Sequence, residues 1–187
     1  MGQALTSRLA GWPRSLRLAA AGVVVVMVVV AVGLTTRPDG SGGAPVDTGA
    51  TRKAPTFSVP DLRDPAAKVE LTAYAGRPVV LNFWASWCVP CRREMPAFQA
   101  VHHQLGDDVA FVGINHLDGR TPARDLLAET DVTYPSGHDP EGKVAAAYGL
   151  RGMPSTVFVS PSGQLLATRT GEMSRSELVE TIEKLFG

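Results

Sequence analysis

The chain has 187 residues, with 18 Lys and Arg balanced by 18 Asp and Glu, so its formal net charge is zero at pH 7. This balance does not favour nucleic-acid binding, for which a strongly basic domain is typical. The length fits one folded domain with appendages. The chain contains 2 cysteines, and they carry its clearest chemical signal.

The first part of the chain has the charge pattern of a membrane-targeting segment. Arg8, Arg14 and Arg17 are the charged residues of the first 17 positions, and a valine-rich, uncharged run follows over 18–34. A basic flank followed by an apolar run is typical of a signal peptide or a signal anchor. A buried helix of a soluble domain is disfavoured, because valine has a low helix propensity.

The length of this apolar run favours an uncleaved anchor. The run exceeds the usual core of a signal peptide, although cleavage after Gly33 is an alternative. With the two threonines that follow, it is about long enough to span a bilayer. We predict a cytoplasmic basic N-terminus at 1–17 and a transmembrane signal anchor at 18–36. Because the cationic end stays in the cytoplasm, we expect a single-pass protein of the cell membrane whose remaining chain is extracytoplasmic.

A linker and one folded domain are predicted after the anchor. Residues 37–53 are rich in Gly, Pro, Ala, Ser and Thr and have no periodic apolar pattern. This composition is typical of a flexible linker. Residues 54–187 are numerous enough to form one hydrophobic core, and we predict the folded domain there.

Strand patterns recur along this domain. The run at 79–83 is almost continuously apolar, as expected for a strand covered on both faces of a sheet. The last two predicted strands form a hairpin around a Pro-Ser-Gly turn. All the predicted strands share apolar or β-branched residues bounded by turn signals, and they cover residues 57–59, 69–71, 79–83, 109–114, 132–134, 155–159 and 165–170.

Four helices are predicted from start signals and from apolar residues at three- and four-residue spacing. The first follows the cysteines and is expected to kink at Pro96, because proline lacks a backbone donor. Thr121 and Asp139, each followed by proline, are the predicted starts of the next two helices. The last helix opens with a capping box from Ser174 to Glu177.

The two cysteines, Cys88 and Cys91, lie three residues apart between a predicted strand and a predicted helix. Backbone N–H groups and the dipole at a helix start favour a thiolate over a thiol. We expect Cys88 at an exposed tip as the nucleophile, and Cys91 further inside as the resolving thiol. Such a thiolate attacks the disulfide of a partner, and the second thiol then resolves the mixed disulfide.

Two simpler roles for the cysteines are less favoured. A zinc site would need two further Cys or His ligands at suitable spacing. The four histidines provide no such pair, and they are His102, His103, His116 and His138. A purely structural disulfide is an alternative, but a loop of two intervening residues constrains the unfolded chain little. Redox chemistry is therefore favoured, without a metal or an organic cofactor.

Two separated motifs carry a family resemblance. The segment Phe83–Cys91 reads FWASWCVPC and continues as RREMP, and Tyr148–Thr156 reads YGLRGMPST. With these motifs the chain resembles the thioredoxin superfamily, specifically the membrane-anchored extracytoplasmic branch used in cytochrome c maturation and related thiol reduction. The resemblance implies an α/β thioredoxin-like fold, with a central mixed sheet flanked by helices and a helix–strand insertion at 121–138. It also implies thiol–disulfide oxidoreductase activity.

The same resemblance implies where a substrate docks. Pro154 would form a cis peptide bond beside the cysteines, and Met153 would present its backbone to an incoming chain. Trp87 would provide an exposed apolar rim, with a half-buried packing role as the alternative. Pro90, inside the cysteine motif, is included in this predicted docking surface.

Two polar residues near the cysteines are further candidates. Glu94 matches the acidic residue of the tethered branch and would manage the proton of Cys91. A solvated residue in the first helical turn is the alternative for this glutamate. Asn82 stands where cytosolic thioredoxins carry a buried aspartate, and its neutral amide cannot accept that proton.

The expected function is reduction of disulfides in selected exported proteins. The resemblance points to the Cys-x-x-Cys-His sites of apocytochrome c, with electrons arriving from a membrane thiol carrier. Val89 and Pro90 supply no cation to stabilise the thiolate, so we expect a potential nearer thioredoxin's roughly −270 mV than the roughly −120 mV of a strong oxidase. A disulfide-forming oxidase, a thiol peroxidase and a non-enzymatic copper-binding module are the alternatives.

Overall fold

This computed structural model describes residues 52–106 and 108–187. The predicted cytoplasmic N-terminus, the predicted transmembrane anchor and all but the last two residues of the predicted linker lie outside the described residues. Within the two described ranges, no helix is both long and apolar enough to cross a membrane.

The described residues form eight strands and four α-helices, with one short 3₁₀ helix at Leu71–Tyr74. The strands are β1 (Arg52–Lys53), β2 (Ser58–Pro60), β3 (Lys68–Glu70), β4 (Val79–Trp84), β5 (Ala110–His116), β6 (Ser136–Asp139), β7 (Ser155–Val159) and β8 (Gln164–Thr170). The helices are α1 (Val89–Leu105), α2 (Arg120–Glu129), α3 (Lys143–Ala147) and α4 (Arg175–Phe186).

Six strands form one mixed sheet in the order β1-β8-β7-β4-β5-β6. Strands β4, β5 and β6 run parallel, whereas β7 runs antiparallel to β4 and β8 runs antiparallel to β7. The parallel neighbours are joined by crossovers that contain α1 and α2, as parallel pairing requires. Strands β2 and β3 form a separate antiparallel pair. This mixed sheet confirms the architecture predicted for the domain.

Strand β4 is buried along its whole length because both faces of the sheet are covered. Val80 and Trp84 belong to the core cluster that contains residues of α1, α2 and α4. Leu81 and Phe83 belong to the cluster on the other face, which includes residues of α3. The continuous apolar run in the sequence therefore reflects alternate burial on two faces.

The folded domain begins earlier than the sequence predicted. Arg52 and Lys53 form β1 and pair with Leu165 and Gln164 of β8. These two residues were predicted to end the linker, but they extend the central sheet. The predicted hairpin is confirmed, since β7 and β8 pair antiparallel.

The predicted strand at 132–134 is wrong, and β6 lies slightly further along the chain. Its sequence is Ser-Gly-His-Asp, which carries no apolar run. Small residues are required there because a Cβ at Gly137 would collide with the Val59 side chain, and a Cβ on Gly113 of β5 would collide with Ser136. Close packing against neighbouring segments, rather than an apolar pattern, therefore determines which residues form β6.

The helix starts agree only in part with the prediction. Helix α2 begins at Arg120 after Gly119, and no side chain caps it, so Thr121 as its N-cap is wrong. The Asp139 carboxylate instead caps α3 from four residues away, because it accepts hydrogen bonds from Lys143 N and Val144 N, both at 2.9 Å. The capping box at Ser174 is confirmed. Helix α1 continues through Pro96 to its last residue.

We expect Asp139→Ala to lower the free energy of unfolding by about 1–3 kcal/mol, because buried N–H groups at the start of α3 lose their acceptor. Asp139→Asn keeps one acceptor oxygen and should cost less. Urea unfolding of the full-length oxidised protein measures the difference. Asp125→Ala, at an exposed position of α2, is the matched control. Equal unfolding free energies for Asp139→Ala and Asp125→Ala would contradict the capping role.

Candidate active site

The two cysteines lie where β4 passes into α1. Cys88 is the N-cap residue of the helix, and its sulfur accepts a hydrogen bond from Cys91 N at 3.2 Å. Pro90 occupies the first turn, where the N–H that proline lacks would have no helical partner. The start of α1 therefore directs a backbone donor at the Cys88 sulfur, as the sequence predicted.

A disulfide bond joins Cys88 to Cys91. Cys88 is 4% exposed and Cys91 is 0% exposed. The predicted order of accessibility is confirmed, but the prediction of an exposed tip at Cys88 is wrong for this oxidised state. Because only Cys88 has any contact with solvent, an attacking sulfur can reach the pair only there.

Glu94 lies inside the protein, on the same helix as the cysteines. Its side chain is 1% exposed, so the alternative of a solvated residue in the first helical turn is wrong. Its Oε1 accepts a hydrogen bond from Asn82 Nδ2 at 2.8 Å, and its Oε2 accepts one from Met173 N at 3.0 Å. Asn82, in β4, thus donates to a buried carboxyl group on α1.

Burial raises the pKa of Glu94 to about 8. The hydrogen bonds from Met173 and Asn82 act in the opposite direction, because they favour the charged form. Burial outweighs them, and the nearby Glu172 carboxylate adds to the rise. At neutral pH the group therefore retains a proton for most of the time.

Tyr134 extends this buried polar network. Its hydroxyl donates a hydrogen bond to Asn82 Oδ1 at 3.4 Å. Burial and the negative charge of Glu94 raise the pKa of the phenol, so Tyr134 stays a donor throughout the physiological range. Sequence reasoning missed this residue, because a tyrosine in a short predicted strand carries no sign of a distant amide partner.

Trp87 lies on the surface beside Cys88, with 58% of its area exposed. Its predicted exposure is confirmed, and its indole Nε1 donates a hydrogen bond to Leu117 O at 3.1 Å. Among the described residues, the exposed large hydrophobic side chains are Trp87, Val89 and Leu117. Sequence reasoning missed Leu117, since it follows β5 and is distant from the cysteines along the chain.

The second motif, Tyr148–Thr156, lies near the cysteines because its last residues belong to β7, which pairs with β4. The Met153–Pro154 peptide bond is cis, which confirms that prediction. Ser155 pairs with Phe83 near the end of β4, so the proline lies close to the strand that leads into Cys88. Met153 packs against the core cluster that contains both cysteines. The two motifs are therefore brought together in the fold.

Comparisons with known proteins agree with this site. Residues 50–168 match the AhpC/TSA family. The thiol-disulfide oxidoreductase ResA of Oceanobacillus iheyensis is 32% identical over 128 residues, which cover 67% of each chain. The thiol:disulfide interchange protein DsbE of Xylella fastidiosa strain 9a5c is 33% identical over 144 residues, which cover 76% of this chain and 72% of that protein.

Solved structures give the same result for the fold. A DsbF homologue from Corynebacterium diphtheriae is 30% identical and superposes with a TM-score of 0.68, covering 80% of this chain and 96% of that one. The chain thus combines a thioredoxin-like mixed sheet with a Cys-x-x-Cys disulfide, and the relatives above are named for thiol–disulfide exchange. We conclude that this chain belongs to the AhpC/TSA family of thioredoxin-like proteins and is a thiol–disulfide oxidoreductase.

Proposed function

We propose that this enzyme reduces disulfides in selected exported proteins while residues 18–36 anchor it in the cell membrane. The observation that carries the proposal is the electrostatic environment of Cys88. The two arginines in the first turns of α1 are both paired, Arg92 with Glu129 and Arg93 with Glu172. With both arginines held by carboxylates, neither is a free cation for the Cys88 thiolate. A thiolate without strong cationic stabilisation favours the disulfide state and makes the reduced enzyme a good electron donor.

The reaction begins with the reduced enzyme. The Cys88 thiolate attacks one sulfur of the substrate disulfide, a new S–S bond forms, and the substrate's other sulfur leaves as a thiolate that takes up a proton. Cys91 then loses its proton and attacks the Cys88 sulfur. The mixed disulfide breaks, the second substrate sulfur leaves, and two electrons have moved from the enzyme to the substrate.

Glu94 is the residue best placed to manage the proton of Cys91. It lies three residues further along α1 and is buried like Cys91 itself. With a pKa of about 8, its carboxyl group can both hold and release a proton near neutral pH. Asn82 and Tyr134 keep this group in place but accept no proton at that pH.

The substrate class follows from the resemblance to the tethered branch and from the expected location. An oxidising exterior needs no general reductant, so a tethered one serves substrates whose cysteines must stay reduced. Apocytochrome c with its Cys-x-x-Cys-His sites is such a substrate. A membrane thiol carrier would then return two electrons to the Cys88–Cys91 disulfide.

The roles of the two thiols differ in a measurable way. Cys91→Ser should accumulate mixed disulfides with substrate because resolution is blocked, whereas Cys88→Ser should trap none. With iodoacetamide at neutral pH, Cys88 in Cys91→Ser should react about tenfold faster than Cys91 in Cys88→Ser. Mass spectrometry of the full-length variants measures both results. Equal alkylation rates would refute the assignment of the nucleophile.

The raised pKa of Glu94 makes stability depend on pH. Between the ordinary value of 4.5 and about 8, the folded state keeps a proton that the unfolded state has lost. The contribution is therefore complete below pH 4.5, and it is lost as the pH rises toward 8. We expect the unfolding free energy to fall by about 1 kcal/mol per pH unit in this window, relative to Glu94→Gln.

Urea unfolding of the oxidised full-length protein at several pH values tests this slope. Glu180→Gln, at an exposed position of α4, should keep the wild-type slope and is the matched control. Glu94→Gln should also change the pH dependence of mixed-disulfide resolution. If Glu94→Gln retained the wild-type slope and pH–rate profile, Glu94 would have no part in proton management.

The direction of electron flow is tested by the reduction potential. We expect equilibration with dithiothreitol to give a value nearer −270 mV than −120 mV, and Pro90→His to raise it, since an imidazolium would stabilise the thiolate. Deletion of the gene should remove c-type cytochromes and leave exported disulfides intact. A potential above about −150 mV, or lost disulfides with normal cytochromes, would favour a disulfide-forming oxidase instead.

A further inference from the structure

A second carboxylate, Asp118, lies in the loop between β5 and α2 and faces the turn that carries the cysteines. Its Oδ2 accepts hydrogen bonds from Ser86 N at 2.6 Å and Asn115 Nδ2 at 2.9 Å. Its Oδ1 accepts from Ser86 Oγ and Gly119 N, both at 2.8 Å. A half-buried carboxylate with four donors is a fixed structural element.

These bonds join two segments at adjacent positions. Ser86 lies two residues before Cys88, so the Asp118 carboxylate holds the backbone of the reactive turn. Trp87, the residue after Ser86, donates from its Nε1 to the backbone carbonyl of Leu117, the residue before Asp118. Strand β6 also contacts this loop, because His138 Nε2 lies within hydrogen-bonding distance of Asp118 O, at 2.9 Å. The two segments are therefore clamped to each other beside the nucleophile.

Leu117 is an unexpected residue for its position in this clamp. Its φ is 47°, in the left-handed region that leucine rarely adopts. Its side chain is 52% exposed, so burial does not explain why a large apolar residue stands there. Glycine or asparagine would fit the backbone more easily. Its backbone carbonyl bonds Trp87, and its side chain adds exposed apolar surface that extends from there toward Gly142, since a Cβ on Gly142 would lie 3.3 Å from Leu117 Cδ2.

We propose that Asp118 is a positioning residue that fixes Leu117 beside Trp87, and that Leu117 contacts the polypeptide substrate. The Trp87–Leu117 surface, completed by Val89, would receive an extended segment with an apolar side chain next to its reactive cysteine. The proposal rests on the proposed reduction of protein disulfides and adds the residues that select the substrate.

The positions of the exposed apolar side chains indicate that the ligand of the Trp87–Leu117 surface is a polypeptide substrate. Among the described residues, the exposed large hydrophobic side chains are Trp87 in the turn before Cys88, Val89 at the start of α1 and Leu117 in the Asp118 loop. A small disulfide needs only the Cys88 sulfur, whereas a chain held in a mixed disulfide must place its neighbouring residues against this surface. Burial of those residues there would stabilise the complex through the hydrophobic effect.

The test compares a protein disulfide with a small one. Insulin and cystine are the two probes, used with the full-length reduced enzyme. Asp118→Ala removes the clamp, while Leu117→Asn removes the apolar side chain and keeps a residue that accepts positive φ. Asp125→Asn, at an exposed position of α2, is the matched control.

We expect the ratio of kcat/KM for insulin to kcat/KM for cystine to fall about fivefold in Asp118→Ala and in Leu117→Asn, mainly through KM for insulin. Asp125→Asn should keep the wild-type ratio. Hydrogen exchange at Ser86 N should quicken in Asp118→Ala and stay slow in Leu117→Asn, because only the first variant opens the clamp.

Three outcomes would overturn the inference alone, and a fourth would overturn the proposed function with it. An unchanged ratio in Leu117→Asn would show that Leu117 makes no substrate contact. An unchanged rate of hydrogen exchange at Ser86 N in Asp118→Ala would show that Asp118 does not hold the turn. Loss of a dimer in Leu117→Asn, measured by sedimentation, would assign the surface to a second copy of this chain. A wild-type enzyme that reduces cystine but not insulin would instead overturn the proposed function together with the inference.

Discussion

The site depends on burying one ionisable group, Glu94, on the helix that begins at the reactive disulfide. Burial of a carboxyl group is costly unless it is protonated or hydrogen-bonded. Here Asn82 and Met173 supply two donors, and the raised pKa keeps a proton on the group near neutral pH. Because these partners come from β4 and from the segment before α4, the carboxyl group also ties three parts of the chain together. The same contact thus satisfies a buried carboxyl group and joins β4 to α1, and the amide at position 82 is the donor that this carboxyl group needs.

A second set of contacts holds the outside of the reactive turn. Asp118 bonds the segment just before Cys88, and Trp87 bonds the loop in return. In the roles proposed above, the inner network manages the proton of Cys91, whereas the outer clamp positions the surface that a substrate meets beside Cys88. Since the two sets share no residue, reactivity and substrate choice can be altered separately. This separation gives each set its own experimental readout.

Features set by neighbours in sequence were predictable, and those set by distant contacts were not. The Cys88–Cys91 spacing, the capping box at Ser174 and the β7–β8 hairpin depend on residues a few positions apart, and all three are present. Strand β6 was missed because close packing selects it rather than an apolar pattern. Asp118 was missed because its carboxylate meets a backbone N–H 32 residues away. The burial of Glu94 likewise depends on residues that only the folded chain brings together.

The segment between β5 and α3, which contains α2 and β6, connects the inner and outer contacts. Tyr134 reaches inward and donates its hydroxyl hydrogen to Asn82, while His138 lies against the backbone of Asp118. Arg63 fixes the intervening segment from outside, since its guanidinium donates to the carbonyls of Val132 and Tyr134. The segment that contains α2 and β6 therefore contacts both sides of the reactive turn. The Glu94 carboxyl group lies on α1 and the amide that bonds it lies on β4, so the position of the carboxyl group depends on the position of Asn82. Tyr134 holds that amide from the same segment that holds Asp118, so a change in this segment would reach both sets of contacts.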